Sequence, residues 1–392
     1  MGKLNSESKF GFGGLYGVET PASRADHVLY IRSHHLRSDR LHCAETYDSK
    51  SCWRRSPSER PATSSYHAMA VVDFHAHFLQ ADVMRESAPR WILGGFGTRP
   101  FAPPPIGSPR ALQTARMFDP ALQLTDMDAR GIDVHVVSAA TAVQGTDWAE
   151  PDHQAALEQR SNDEAARWVA YAPERFVGAF TLPLRDITRA LRELDRAVDE
   201  LGLRVANLPA QSGGDYLGAP RFRPLWEALA DRGVVAFIHP DGARDPWFLE
   251  YSLWNSIGQP IEETKVIASL ILEGVLEEFP EIRIVISHGG GFLPHYFGRL
   301  DRNVTNMPDS VRHISRKPSD YLRDLYYDTC VYDICVLEQL IERVGADRIV
   351  LGSDYPVAGE DDHVAFVRGA RNLSRGDLDG VLGGTASRLL SL

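Results

Sequence analysis

Cysteine is scarce, lysine is missing where it would matter most, and no long apolar run occurs. Each shortage removes a class of explanation. The four cysteines, Cys43, Cys52, Cys330 and Cys335, are too few for a disulfide framework and show no paired metal-ligand spacing, so a reducing, cytoplasmic setting is expected. No run of about 18 apolar residues appears and no basic-then-apolar leader opens the chain, so neither a membrane span nor a secretory signal is expected. A formal net charge of -11 and the lack of a basic stripe argue against a nucleic-acid partner. Past Met69 the lysines are Lys265 and Lys317, and neither lies in a strand-like run. A pair of metal ions bridged by a carbamylated lysine needs that lysine at a strand end, so one metal ion is the natural count. No phosphate-cradling glycine motif follows a first strand, which leaves a nucleotide cofactor without a berth.

What is present is a large apolar share, 43% of 392 residues, enough for the core of an α/β barrel in one domain. The first 68 residues differ from the rest in carrying more Lys and Arg than Asp and Glu, with no sustained amphipathic period. They are expected to be a poorly ordered extension or upstream sequence from a mis-assigned start. Residues 69–392 are expected to form the folded domain.

Eight β-branched runs punctuate that part: "VVDFHAHF" (71–78), "VHVVSAA" (134–140), "RFVGAFTLP" (175–183), "LRVANLP" (203–209), "VVAFIHP" (234–240), "IRIVISHGG" (282–290), "LYYDTC" (325–330) and "RIVLGSDYP" (348–356). Between most of them lie helical signals such as "DPALQLTDMDARG", "DITRALRELDRAVDELG", "PRFRPLWEALADRG" and "DICVLEQLIERVGAD", with apolar positions three and four apart and most of them closed by glycine. The alternation predicts an α/β fold, a (β/α)8 TIM barrel, although an open doubly wound sheet uses the same pattern. The polar residues separate the two. His75, His77, His239, His288 and Asp354 all come at or near the C-terminal end of a run, and in a barrel those ends converge on one mouth. The segment from about 84 to 125 is too long for an ordinary βα loop and is expected to cover that mouth.

The pattern "HAH" puts two imidazoles on one side of a strand, because residues i and i+2 share a face; Phe74 and Phe78 are then expected to pack elsewhere. Joined by His239 and Asp354, they offer three nitrogens and one carboxylate, a donor set that suits Zn2+ or a similar first-row ion such as Mn2+. Leaving four polar groups unpartnered inside apolar runs would be costly. His288, followed by three glycines, has the right ordinary pKa to move a proton at neutral pH. It could instead serve as a fifth ligand, orient a metal-bound water, or be structural.

In the ordered series HxH, "IHP", "SHGGG" and "GSDYP" the chain resembles the metal-dependent decarboxylase branch of the amidohydrolase superfamily, most of all its aminocarboxymuconate semialdehyde decarboxylases, with the resorcylate and carboxyvanillate decarboxylases close by. The likeness runs from Val71 to about Leu389. It implies a single zinc ion on His75, His77, His239 and Asp354, with His288 and Asp354 catalytic in proton transfer. It also implies non-oxidative loss of carbon dioxide from a small unsaturated or hydroxyaromatic carboxylic acid, in a homodimer whose partner reaches the substrate. Arg110 and Arg116, in "SPRALQTARMFDP", are the candidate carboxylate clamps, and Trp254, in "YSLWNSIGQP", resembles a pocket tryptophan. The same ligand set also suits a hydrolase of an amide or lactone, or a dicarboxylic acid hydratase.

Overall fold

The computed structural model describes residues 69–90, 105 and 107–392 apart from 244, 358, 360 and 372. The expectation for residues 1–68, and that for the middle of the 84–125 segment, lie outside the described residues.

All eight β-branched runs are strands of one parallel sheet, and each strand is shorter than its run. They are β1 (Val72–Phe78), β2 (Val134–Ala139), β3 (Phe176–Phe180), β4 (Val205–Leu208), β5 (Val235–Ile238), β6 (Ile284–Ile286), β7 (Tyr326–Asp328) and β8 (Ile349–Val350). They pair in that order. The sheet closes on itself where Phe74 N–H donates to the Leu351 carbonyl at 2.7 Å and His77 N–H to the Tyr355 carbonyl at 2.8 Å. Parallel strands covered on both faces read as continuous apolar runs, which is why the sequence shows no alternation.

Two apolar layers result. Val72, Phe74, Val136, Val205, Val235, Phe237 and Val285 fill the barrel, and Leu389 and Leu390 from the chain's end pack against them. The outward-facing residues of the strands pack with the surrounding helices in the larger cluster. The sequence pattern put Phe74 and Phe78 away from the space the histidines share, and for Phe74 the separation is incomplete. The pairing of β1 with β2 slips between Asp73 and Ala76, a bulge that re-aims the strand. Phe74 therefore joins the barrel interior and stacks edge-on against Phe237 at 5.7 Å, and His75 lies 5.1 Å from that same ring. Phe78 goes to the outer layer.

The helices that matter for the mouth are α1 (Ala81–Ser87), α2 (Pro109–Arg116) and α3 (Pro120–Arg130), which carry the described parts of the long first crossover; α4 (Thr141–Gln144) and α5 (Pro151–Tyr171) after β2; α6 (Ile187–Asp195); α7 (Arg223–Asp231); and α8 (Gln259–Leu272). Their starts are written in the sequence. Asp119 accepts from Ala121 N–H at the start of α3, with Pro120 at the first helical position, and Asp186 accepts from Arg189 N–H at the start of α6. The sequence signals did not single out α5, although it is 21 residues long. Its buried face mixes Gln154, Glu158, Ser161 and Asn162 with Leu157, Ala165 and Trp168, so the apolar period is broken by polar residues that find partners only in the fold. No described helix is long and apolar enough to cross a membrane.

Candidate metal centre

Four side chains meet at the C-terminal mouth of the barrel. His75 and His77 come from β1, His239 follows β5 by one residue, and Asp354 lies four residues past β8. Their donor atoms all lie within 4.8 Å of one another, and all four residues are buried. His75 Nε2 is 3.2 Å from His77 Nε2, while Asp354 Oδ1 is 3.0 Å from His77 Nε2 and 3.5 Å from His75 Nε2.

The opposite sides of the rings show which form each histidine takes. His75 Nδ1–H donates to Asp328 Oδ2 at 2.6 Å. Ser138 Oγ lies 3.2 Å from both the Ala76 carbonyl and His77 Nδ1, and when its hydroxyl donates to the carbonyl it accepts from His77 Nδ1–H. Both Nε2 atoms then carry lone pairs, and both face a carboxylate oxygen. Three acceptors crowd one point without a donor between them, an arrangement that costs free energy unless a cation sits among them. The donor set therefore fits a divalent metal ion. The electrostatics agree: burial, partly offset by the Asp328 hydrogen bond, holds His75 below its usual pKa, and burial with the neighbouring imidazoles holds His239 well below it. Both are neutral, the form that ligates. Burial raises the Asp354 carboxyl, but the His77 contact and the surrounding imidazoles outweigh it and keep the group below the usual carboxylate range.

His288 stands at the edge of this cluster, its ring centroid 5.2 Å from that of His75 and 5.1 Å from that of His239. Glu263, fully buried on α8, holds it: one carboxylate oxygen accepts from His288 Nδ1–H at 2.5 Å and from Ser287 Oγ–H at 2.5 Å. Burial alone lowers the imidazole's pKa, yet the charges of Glu263, Asp354 and Asp328 prevail and raise it to about 9. The glycines after it are required by crowding. A Cβ on Gly291 would sit 2.1 Å from the Pro260 carbonyl oxygen, and one on Gly289 would sit 2.5 Å from Val331. His288 itself (φ 48°) and Asp354 (φ 56°) adopt left-handed backbone, which costs of order 1–3 kcal/mol for a residue with a side chain. The fold accepts that strain at the two groups expected to handle the proton.

A cavity of about 660 Å³ opens above the cluster, and His77, His239 and Asp354 form part of its floor. Arg110 on α2 and Trp254 line it. Arg116 is not among the lining residues; its guanidinium pairs with Asp126 at 2.8 Å, and Asp126 also accepts from the Tyr355 hydroxyl.

Glu263, Asp328 and Ser138 were not found from the sequence. Asp328 lies two residues short of the end of its run, as Asp354 does in its own, so its position was a signal that could have been used. Glu263 lies 25 residues ahead of the histidine it holds, on a helix, and nothing local marks it.

The barrel, with its histidines and aspartate at one mouth, defines a class, and comparison with known proteins names it. The amidohydrolase family model matches residues 72–392, and the chain belongs to that family. The 2-amino-3-carboxymuconate-6-semialdehyde decarboxylase of Dictyostelium discoideum is 29% identical over 278 residues, 70% of this chain and 77% of that one. A 2-keto-4-carboxy-3-hexenedioate hydratase from Sphingobium is 27% identical over 301 residues, 73% of this chain and 83% of its own. Among solved structures, the 5-carboxyvanillate decarboxylase of Novosphingobium aromaticivorans, complexed with manganese and a nitrobenzoic acid, matches with a TM-score of 0.75 at 22% identity, covering 86% of this chain and all of its own.

Proposed function

We propose that the protein is a metal-dependent decarboxylase acting on a small hydroxyaromatic or unsaturated carboxylic acid. The observation that carries this is the convergence of three lone-pair donors, His75 Nε2, His77 Nε2 and Asp354 Oδ1, beside a histidine whose proton is held by a buried carboxylate. Kinship with decarboxylases supports it. His75, His77, His239 and Asp354 would hold one divalent ion, and the three-imidazole, one-carboxylate set favours zinc, with manganese as the alternative that a structural relative carries. When bound, such an ion supplies a Lewis acid that orients an anionic substrate and stabilises charge developing on it.

The protein's own groups do the rest. Glu263 keeps the His288 proton on Nδ1 and, through its charge, favours a second proton on Nε2. His288 gives that second proton to the substrate carbon that bears the carboxylate. The carbon–carbon bond then breaks, its electron pair returns to the unsaturated system, and carbon dioxide leaves. Asp354 receives and passes protons beside His288, and burial of the floor keeps competing water out of a low-dielectric site. Arg110 and Trp254 bind the substrate, the guanidinium attracting its charge and the indole stacking on its ring. Arg116, committed to Asp126, acts by holding the wall. A homodimer and a cytoplasmic setting complete the proposal. The thiols Cys330 and Cys335 are free, which supports a reducing compartment, and sedimentation showing a monomer at working concentration would remove the dimer.

The test incubates metal-loaded protein with aminocarboxymuconate semialdehyde, γ-resorcylate, 5-carboxyvanillate, simple lactones and amides, and an unsaturated dicarboxylic acid, following carbon dioxide and product mass together. Carbon dioxide from one acid is the expected result. Hydrolysis of an amide or lactone, or hydration of the dicarboxylic acid with no carbon dioxide, overturns the decarboxylase reading and leaves the metal site standing.

A further inference from the structure

The cavity over the metal centre is larger and greasier than a hydroxybenzoate requires. Its volume is about 660 Å³, in the middle of the range that holds drug-sized ligands. At the ~30 Å³ that a water molecule claims in the liquid, roughly eleven non-hydrogen atoms of a dihydroxybenzoate fill at most about half of it. Leu79, Met84, Met117, Phe118 and Trp254 form much of the wall.

Four of the polar side chains among them donate to other protein groups. Gln113 donates its amide to the Pro356 and Val357 carbonyls at 2.8 and 2.9 Å, Thr114 donates to the Arg110 carbonyl at 2.8 Å, Gln259 donates to the Pro240 carbonyl at 3.2 Å, and Asn255 donates to Gln259 at 3.4 Å. The Arg110 guanidinium lies exposed at the rim and makes no ion pair among the described residues. The gradient runs from acceptors for a cation at the floor, through an apolar wall, to a basic rim.

We infer that the preferred substrate is an aromatic acid carrying an apolar substituent of several carbons, with the reacting carboxylate at the floor and the substituent along Met84, Met117 and Phe118. This rests on the decarboxylase reading and specifies its substrate class. An unfilled apolar wall retains its contact with water, whereas an alkyl chain removes it. Burying one methylene is worth about 0.8 kcal/mol, or about fourfold in affinity. A second carboxylate laid along Met84, Met117 and Phe118 would lose its water without gaining a charged partner from those side chains.

The experiment uses the full-length, metal-loaded protein and a series of hydroxybenzoates substituted with hydrogen, methyl, propyl, pentyl and heptyl groups. In parallel, calorimetry measures binding of the matching alkylphenols, which lack the reacting carboxylate. The expected result is a rise in kcat/KM of about fourfold per methylene over the first members, with phenol affinity rising in step. The Ala142→Leu variant, which adds bulk to the same cavity, should flatten both series at their long ends. A series that is flat or falls beyond methyl, in rate or in binding, overturns the inference, as does faster turnover of an acid bearing a second carboxylate. If no member releases carbon dioxide while phenol affinity still climbs with chain length, the cavity assignment survives and the decarboxylase reading fails. Carbon dioxide without any chain-length trend overturns the substrate assignment and leaves the decarboxylase reading standing.

Discussion

The floor and the wall of the cavity are held in different ways. Three histidines of the metal centre are gripped from behind: His75 by Asp328, His77 by Ser138, His288 by Glu263. Asp328 is itself fixed, since one of its oxygens accepts from the Gly289 and Cys330 amides at 3.0 and 3.1 Å. The wall comes from α1, α2 and the turns around Trp254, and its polar groups mostly bond to nearby backbone. Strand ends thus hold geometry closely, while crossover segments set shape. Chemistry that fails when a ligand shifts belongs on the first, and selectivity that varies among relatives belongs on the second.

The hardest test of this contrast removes a floor ligand. His75→Ala and Asp354→Asn should each lose the metal, and activity should fall to background, while circular dichroism stays that of a barrel. Elemental analysis decides, since full occupancy in both variants would sink the assignment. His288→Ala separates metal from proton: the ion should stay while kcat falls about 10²-fold to 10⁴-fold, the usual worth of a general acid–base group. Loss of metal together with rate would instead make His288 a ligand.

A smaller effect is expected behind the ligands. Asp328→Ala frees the His75 ring to rotate and to place its proton on either nitrogen. Metal affinity should fall about 10-fold to 100-fold, as is common when the partner of a ligating histidine is removed. A chelator competition titration reads this directly. An unchanged affinity would mean that barrel packing alone orients His75.

How much of this was legible in the sequence follows the same divide. His75, His77, His239 and Asp354 were readable because each interrupts or ends an apolar run, and an imidazole there has few structural explanations. The strands were readable because Val and Ile cluster where both faces are buried. The bulge in β1 was not, because a one-residue slip leaves composition unchanged; it shows only as pairing with β2. Glu263 was hidden for another reason. A glutamate in "QPIEETKV" looks like any helix-surface acid, and only the approach of α8 to the segment after β6 buries it against His288. Arg110 and Arg116 were indistinguishable in sequence, six residues apart on one helix. The structure gives one to the cavity and the other to Asp126.

The effect expected to be smallest on metal binding and turnover concerns a buried acid with no cation beside it, which makes it the natural control for the metal-site carboxylates. Glu158 on α5 is buried, one oxygen accepting from the Thr146 hydroxyl and the other without a partner. Burial raises its carboxyl to about 8, against the nearby hydroxyls of Thr146 and Thr181, with the charges of Glu193 and Asp147 adding to the rise. In the unfolded chain the group titrates near its ordinary value of 4.5. Between those two values the folded protein keeps a proton that the unfolded chain has released, so folding takes up a proton and stability falls as pH rises through the window. Below it the contribution is fully present, and above it the loss is complete, at most roughly 5 kcal/mol. Glu158→Gln cannot ionise and should escape this loss. Urea unfolding of both proteins should show similar stability near pH 5 and a variant that is the more stable above pH 8. Taking the difference at each pH cancels the titration of the metal-site groups. Parallel profiles across that range would show that water reaches Glu158 and solvates its charge, and that burial in this barrel does not by itself keep a carboxylate neutral.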